Sequence, residues 1–151
     1  MHDRRKIFKI GLSGLIFLPF TRIGLGAAEL PEIAAYRNPG CSCCELWAEH
    51  LRKAGFGVRM SDDADLTARR KKLGMPESVA GCHLAEIGPY VIDGHVPAQD
   101  ILRLLDEKPD ALGLAVPGMP MGAPGMEGGD SEPFTVMLVA KDGSTREFSR
   151  H

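Results

Sequence analysis

The chain has no surplus of positive charge: 18 Lys and Arg stand against 20 Asp and Glu. Nucleic acid and anionic membrane surfaces both recruit partners through a basic field, so the balance disfavours either. The basic run Arg69-Arg70-Lys71-Lys72 does not change this, because its expected place is the solvated face of a helix. Long hydrophobic runs are also missing. The longest, "IGLSGLIFLPF", falls well short of the roughly 20 residues that span a bilayer. No internal repeat is present, and no cysteine lies where a lipoprotein would be cleaved and acylated.

The short apolar run fits an export signal instead. It follows a basic start (Arg4, Arg5, Lys6, Lys9) and closes on Gly26 and Ala28, a small-x-small cleavage pattern. The Arg4-Arg5 pair and Arg22 near the cleavage site point to a twin-arginine signal over residues 1–28. A single domain over 29–151 is expected, in the periplasm, with no membrane anchor after processing. Cleavage leaves 13 bases and 19 acids, a net charge of about −6.

Within that domain the cysteines are unevenly placed. Cys41, Cys43 and Cys44 crowd into "NPGCSCCELW", and Cys82 stands beside His83. An exported chain of this size often uses an even cysteine count for structural bridges. A Cys41–Cys44 bridge would close almost no loop, and a bridge between the adjacent Cys43 and Cys44 would be strained. The cluster therefore reads as a site.

Patterning places the cluster in a fold. A first strand is expected over 32–36, broken by Asn38-Pro39-Gly40. Leu46, Trp47, His50, Leu51 and Ala54 recur at helical spacing up to Gly55. Phe56, Val58 and Met60 alternate as a strand, with Ser61-Asp62 as cap for a helix over 63–73. "ESVAGCHLAEIG" has no clear period. "PYVID" reads as a strand, and "VPAQDILRLLDEKP" as a helix bounded by Pro97 and Pro109. A Gly/Pro-rich stretch over 118–133 excludes regular structure, and a β-hairpin turning at Asp142-Gly143 ends the chain. The expected order is β-α-β-α-β-α-β-β, with the sulfur cluster between first strand and first helix.

At a helix start, free N–H groups and the helix dipole favour thiolates. Strand, turn, Cys-x-x-Cys and helix is also the thioredoxin arrangement. A dithiol oxidoreductase would use Cys41 and Cys44, one attacking and the other resolving. A third thiol, Cys43, offers that chemistry a competing partner, whereas soft-metal ligation gains from it. Thiolates bridge copper(I) ions, so Cys41, Cys43, Cys44 and Cys82 form a candidate multinuclear copper(I) site, with His83 beside it. Zinc is the alternative, as a closed four-thiolate structural site. Met119 and Met126 lie in the Gly/Pro loop and offer thioethers, which prefer copper(I) over zinc. His95 reads as a turn histidine within reach of the site, and His50 and His151 have no assigned role.

The segments "YRNPGCSCCELWAEHLRKAGF", "GCHLAEIGPYVIDGHVPAQDILRLL" and "GLAVPGMPMGAPGMEGG" together resemble the CopG-like family of periplasmic copper-resistance proteins, long catalogued as a domain of unknown function. The resemblance runs from about Ala34 to Phe148. It implies an α/β, thioredoxin-like fold with a mixed central sheet, flanking helices and a C-terminal hairpin. It also implies a cysteine-bridged copper cluster, a redox role in copper detoxification, and other periplasmic copper-handling proteins as partners. Cys41, Cys43, Cys44 and Cys82 match the family's thiols, and His83 its Cys-His step. Met119 and Met126 match its loop methionines. Ser42 stands where glycine is expected, which adds a hydroxyl and removes no ligand.

Overall fold

The computed structural model describes residues 29–151; the export-signal reading of 1–28 lies outside the described residues. Seven strands form one mixed sheet: β1 (Ile33–Arg37), β2 (Val58–Asp62), β3 (His83–Ile87), β4 (Tyr90–Asp93), β5 (Gly113–Ala115), β6 (Thr135–Val139) and β7 (Thr145–Arg150). Their spatial order is β2-β1-β3-β4-β5-β6-β7. The β1–β2 and β4–β5 pairs are parallel and the other four antiparallel. Three helices flank the sheet: α1 (Ser42–Lys53), α2 (Leu66–Leu73) and α3 (Ala98–Glu107). Among the described residues no helix is long and apolar enough to cross a membrane.

Side-chain alternation along the strands explains the layering. Ala85, Ile87, Ile92 and Leu114 join Trp47 and Leu51 of α1 and Ile101 and Leu104 of α3 in the larger core. Leu84, Val91 and Ala115, one residue out of phase, pack with Leu66 of α2, Met75 and Val79 on the other face. The central strands are thus buried on both sides. The α/β class, the mixed sheet, the flanking helices and the terminal hairpin agree with the expectation.

Several local expectations change. The stretch without a clear period contains β3, and three residues after the third helix form β5. Ser61 and Asp62 do not cap a helix; they belong to β2, and the Asp65 side chain caps α2 by accepting from the Ala68 N–H at 2.9 Å. The basic run is not wholly solvated, since Arg70 is buried and paired with Asp93. Its i, i+4 spacing from Leu66 puts it on the face that packs against the sheet.

Candidate metal centre

Strand directions bring the candidate residues to one end of the sheet. β3 runs antiparallel to β1, so the end of β1 lies beside the start of β3. β4 is antiparallel to β3 and β5 parallel to β4, so both finish at that same end. Cys41 to Cys44 follow β1, Cys82 precedes β3, His95 follows β4, and the Gly/Pro loop follows β5.

The four sulfurs meet there. Cys43 Sγ lies 3.4 Å from Cys41 Sγ and 3.7 Å from Cys82 Sγ, and Cys44 Sγ lies 3.6 Å from Cys82 Sγ. Cys41 and Cys44 are joined as a disulfide, leaving Cys43 and Cys82 as thiols. A four-thiolate site therefore requires that bridge to be reduced first. Arg37 Nη1 donates to the Cys41 carbonyl at 3.1 Å and tethers the turn to β1.

Two imidazoles extend the cluster, His83 and the turn histidine His95. His95 Nδ1 lies 2.7 Å from the Pro124 carbonyl oxygen, and Nε2 lies 2.9 Å from Cys82 Sγ. A carbonyl only accepts, so Nδ1 carries the proton and Nε2 accepts from the Cys82 thiol. The β3–β4 register pairs Leu84 with Asp93, and continuing it outward sets Cys82 opposite His95. His83 Nδ1 lies 3.3 Å from Cys82 Sγ. Its ring is fully buried, 4.2 Å from the Trp47 ring and 4.9 Å from that of His95, between centroids.

His83 Nε2 has no hydrogen-bond partner among the described residues. Leaving a buried polar atom unpaired is costly, so this orphan invites a ligand. Burial, reinforced by the neighbouring Cys43, pushes the Cys82 thiol up to about 12. Burial, with His95 adding repulsion, holds His83 well below the ordinary histidine range. His95 is also lowered by burial, with its bond to Pro124 acting in the opposite sense. Among the described residues, two sets of potential ligand atoms each lie within 4.8 Å of one another internally, the four cysteines and the trio Cys82, His83 and His95. Cys82 belongs to both. Thiolate and neutral imidazole are the donors that copper(I) and zinc accept, so the residues present fit either ion.

The Gly/Pro loop reaches the cluster through its backbone. Gly125, at φ +87°, packs so closely that a Cβ would lie 2.7 Å from the Cys43 carbonyl oxygen and 2.8 Å from the Trp47 nitrogen. Met126 follows it and is half-buried, whereas Met119 is 53% exposed. His50 sits apart from the sulfurs and accepts from the Ala98 N–H at the start of α3, at 3.1 Å. His151 pairs with Asp100.

Comparison with known proteins gives one family model and two solved structures. The model described as "Protein of unknown function, DUF411" matches residues 79–126. Two structures titled "Copper resistance protein copG", Form 1 and Form 2, each share 40% identity with the chain at a TM-score of 0.77. Each covers 82% of this chain, which in turn covers 98% of the first and 99% of the second. No curated protein sequence matches.

Proposed function

We propose, for a chain that belongs to the CopG family of copper-resistance proteins, that it binds copper(I) in a thiolate-bridged site and thereby protects the periplasm from the metal. The observation that carries this reading is the approach of Cys82 to within 3.7 Å of Cys43 and 3.6 Å of Cys44, sulfur to sulfur, from a distant segment. Bound copper(I) supplies a soft centre that several thiolates can share.

The chain's own residues prepare that site. Two electrons and two protons convert the Cys41–Cys44 disulfide into two thiols, drawn from an external dithiol reductant. Cys82 then gives up its proton, for which His95 Nε2 is the acceptor in reach. His83 presents a buried, neutral ring nitrogen beside the same sulfur. Met126 adjoins Gly125, whose backbone packs on α1, and is half-buried, which favours it as the loop ligand; Met119 would have to turn inward from solvent.

Anaerobic titration of the reduced protein with copper(I), against a competing chelator, tests this. More than one copper per chain is expected, falling to one or none in Cys43→Ser. Stoichiometric zinc that copper(I) fails to displace would favour the structural zinc site instead. The disulfide across Cys41 and Cys44 at the start of α1 favours a second reading, a thiol–disulfide oxidoreductase. Rapid insulin reduction that survives Cys43→Ser would select it. Export by the twin-arginine route predicts that replacing Arg4-Arg5 with Lys-Lys blocks appearance in the periplasm; unimpaired export would contradict that route.

A further inference from the structure

Beside the sulfur cluster, on the opposite face of the sheet, a buried ion pair has no part in the copper reading. Arg70 Nε donates to Asp93 Oδ2 at 2.7 Å, and the Asp93 side chain is fully buried. Arg70 Nη2 and Asp93 Oδ1 lie 3.3 Å apart, and both also reach one further residue, Gly81. Arg70 Nη2 donates to the Gly81 carbonyl at 2.6 Å, and Asp93 Oδ1 accepts from the Gly81 N–H at 2.8 Å. Both peptide planes flanking Gly81 are therefore held, and Gly81 immediately precedes Cys82.

Contacts at Gly81 carry the constraint across to His95. A Cβ on Gly81 would lie 2.4 Å from the Gly94 Cα, and one on Gly94 would lie 2.5 Å from the Val116 carbonyl oxygen. The three backbones are stacked with no room between them. Asp93, Gly94 and His95 are consecutive, so the carboxylate that grips Gly81 lies two residues from the imidazole that meets Cys82.

Stability alone does not explain such a pair. Buried ion pairs are often matched or bettered by apolar side chains of similar volume, because desolvation offsets the attraction. A fork of donors opposite a carboxylate offers something apolar packing lacks, directional hold on a peptide N–H and a carbonyl together. We propose that Arg70 and Asp93 are positioning residues: through Gly81 they set where the Cys82 sulfur sits relative to Cys43, Cys44 and His95. The consequence for metal affinity rests on the copper reading; the placement of Cys82 against His95 does not.

The test compares three folded proteins, wild type, Arg70→Lys and Leu66→Ala. Lysine keeps the charge opposite Asp93 but lacks the fork that reaches Gly81 at the same time. Leu66 is buried on the same helix and takes no part in the side-chain hydrogen bonds to Gly81, so its truncation supplies a loss of stability that leaves them in place. One readout is the ring nitrogen shifts of His95 in reduced, metal-free protein, which report its bond to Cys82, with Cys82→Ala as the reference for losing that bond. The other is copper(I) affinity by chelator competition.

Arg70→Lys is expected to move the His95 shifts toward the Cys82→Ala values and to weaken copper(I) binding about 10- to 100-fold, the usual effect of disturbing residues behind a ligand. Leu66→Ala is expected to lower Tm and leave both readouts unchanged. Wild-type His95 shifts in Arg70→Lys, or equal shifts in Leu66→Ala, would overturn the proposal. Should Arg70→Lys fail to fold, Asp93→Asn, which keeps an acceptor for Gly81 and loses the charge, is read in the same way. A wild-type protein that binds no copper(I) would remove the copper reading, while the His95 shifts would still decide the clamp.

Discussion

Trp47→Ala is expected to destabilise the protein by about 3–5 kcal/mol, a large share of the roughly 5–15 kcal/mol that holds a typical domain folded. The side chain is fully buried in the larger core, where α1 meets the sheet. Its Nε1 donates to the Val96 carbonyl at 2.9 Å, tying α1 to the segment between β4 and α3. Its ring lies 4.2 Å from that of His83. Truncation would leave a cavity beside His83 and an unpaired carbonyl one residue from His95. Trp47→Phe keeps most of the volume and loses only the donor, for which about 1–3 kcal/mol is expected. Urea unfolding of the reduced, metal-free variants measures both. A loss below about 1 kcal/mol for Trp47→Ala would contradict the packing described.

Acid is expected to unfold the reduced, metal-free protein early. Burial lowers His83 and His95, and it lowers His50 as well. A base whose folded pKa lies below its unfolded value of about 6.5 binds its proton more readily in the unfolded chain. Stability is then complete above about pH 6.5 and is lost as pH falls toward the lower folded values, by up to about 1.4 kcal/mol per pH unit for each such histidine. His83 carries the largest expectation, since its neutral ring has no exposed edge. The urea midpoint should fall between about pH 7 and pH 5, and His95→Gln should flatten the fall. A midpoint constant over that range would mean that neither ring is held neutral by burial.

Legibility from sequence followed the degree of one-sided burial. α1 and α3 were readable because each has one face in the core and one in solvent, so apolar residues recur at helical spacing. β3 was not, because His83, Leu84, Ala85 and Ile87 are buried on both faces and no alternation survives. β5 is three buried residues, too short for any pattern. The site followed the same logic. The crowding of Cys41, Cys43 and Cys44, and Cys82 beside His83, is visible without a fold. His95 becomes a site residue only once β3 and β4 are paired, since the register, and not local composition, sets it opposite Cys82. Arg70 was hidden inside a basic run whose other members are exposed or half-buried; its spacing from Leu66 was the available signal.

Copper K-edge X-ray absorption on the reduced, copper(I)-loaded chain tests the central claim most directly, that sulfur from two separate segments encloses the ion. The account predicts a first shell dominated by sulfur, with a copper neighbour in the second, and loss of part of that sulfur signal in Cys82→Ser. A shell of nitrogen and oxygen alone, or a spectrum unchanged by Cys82→Ser, would contradict it.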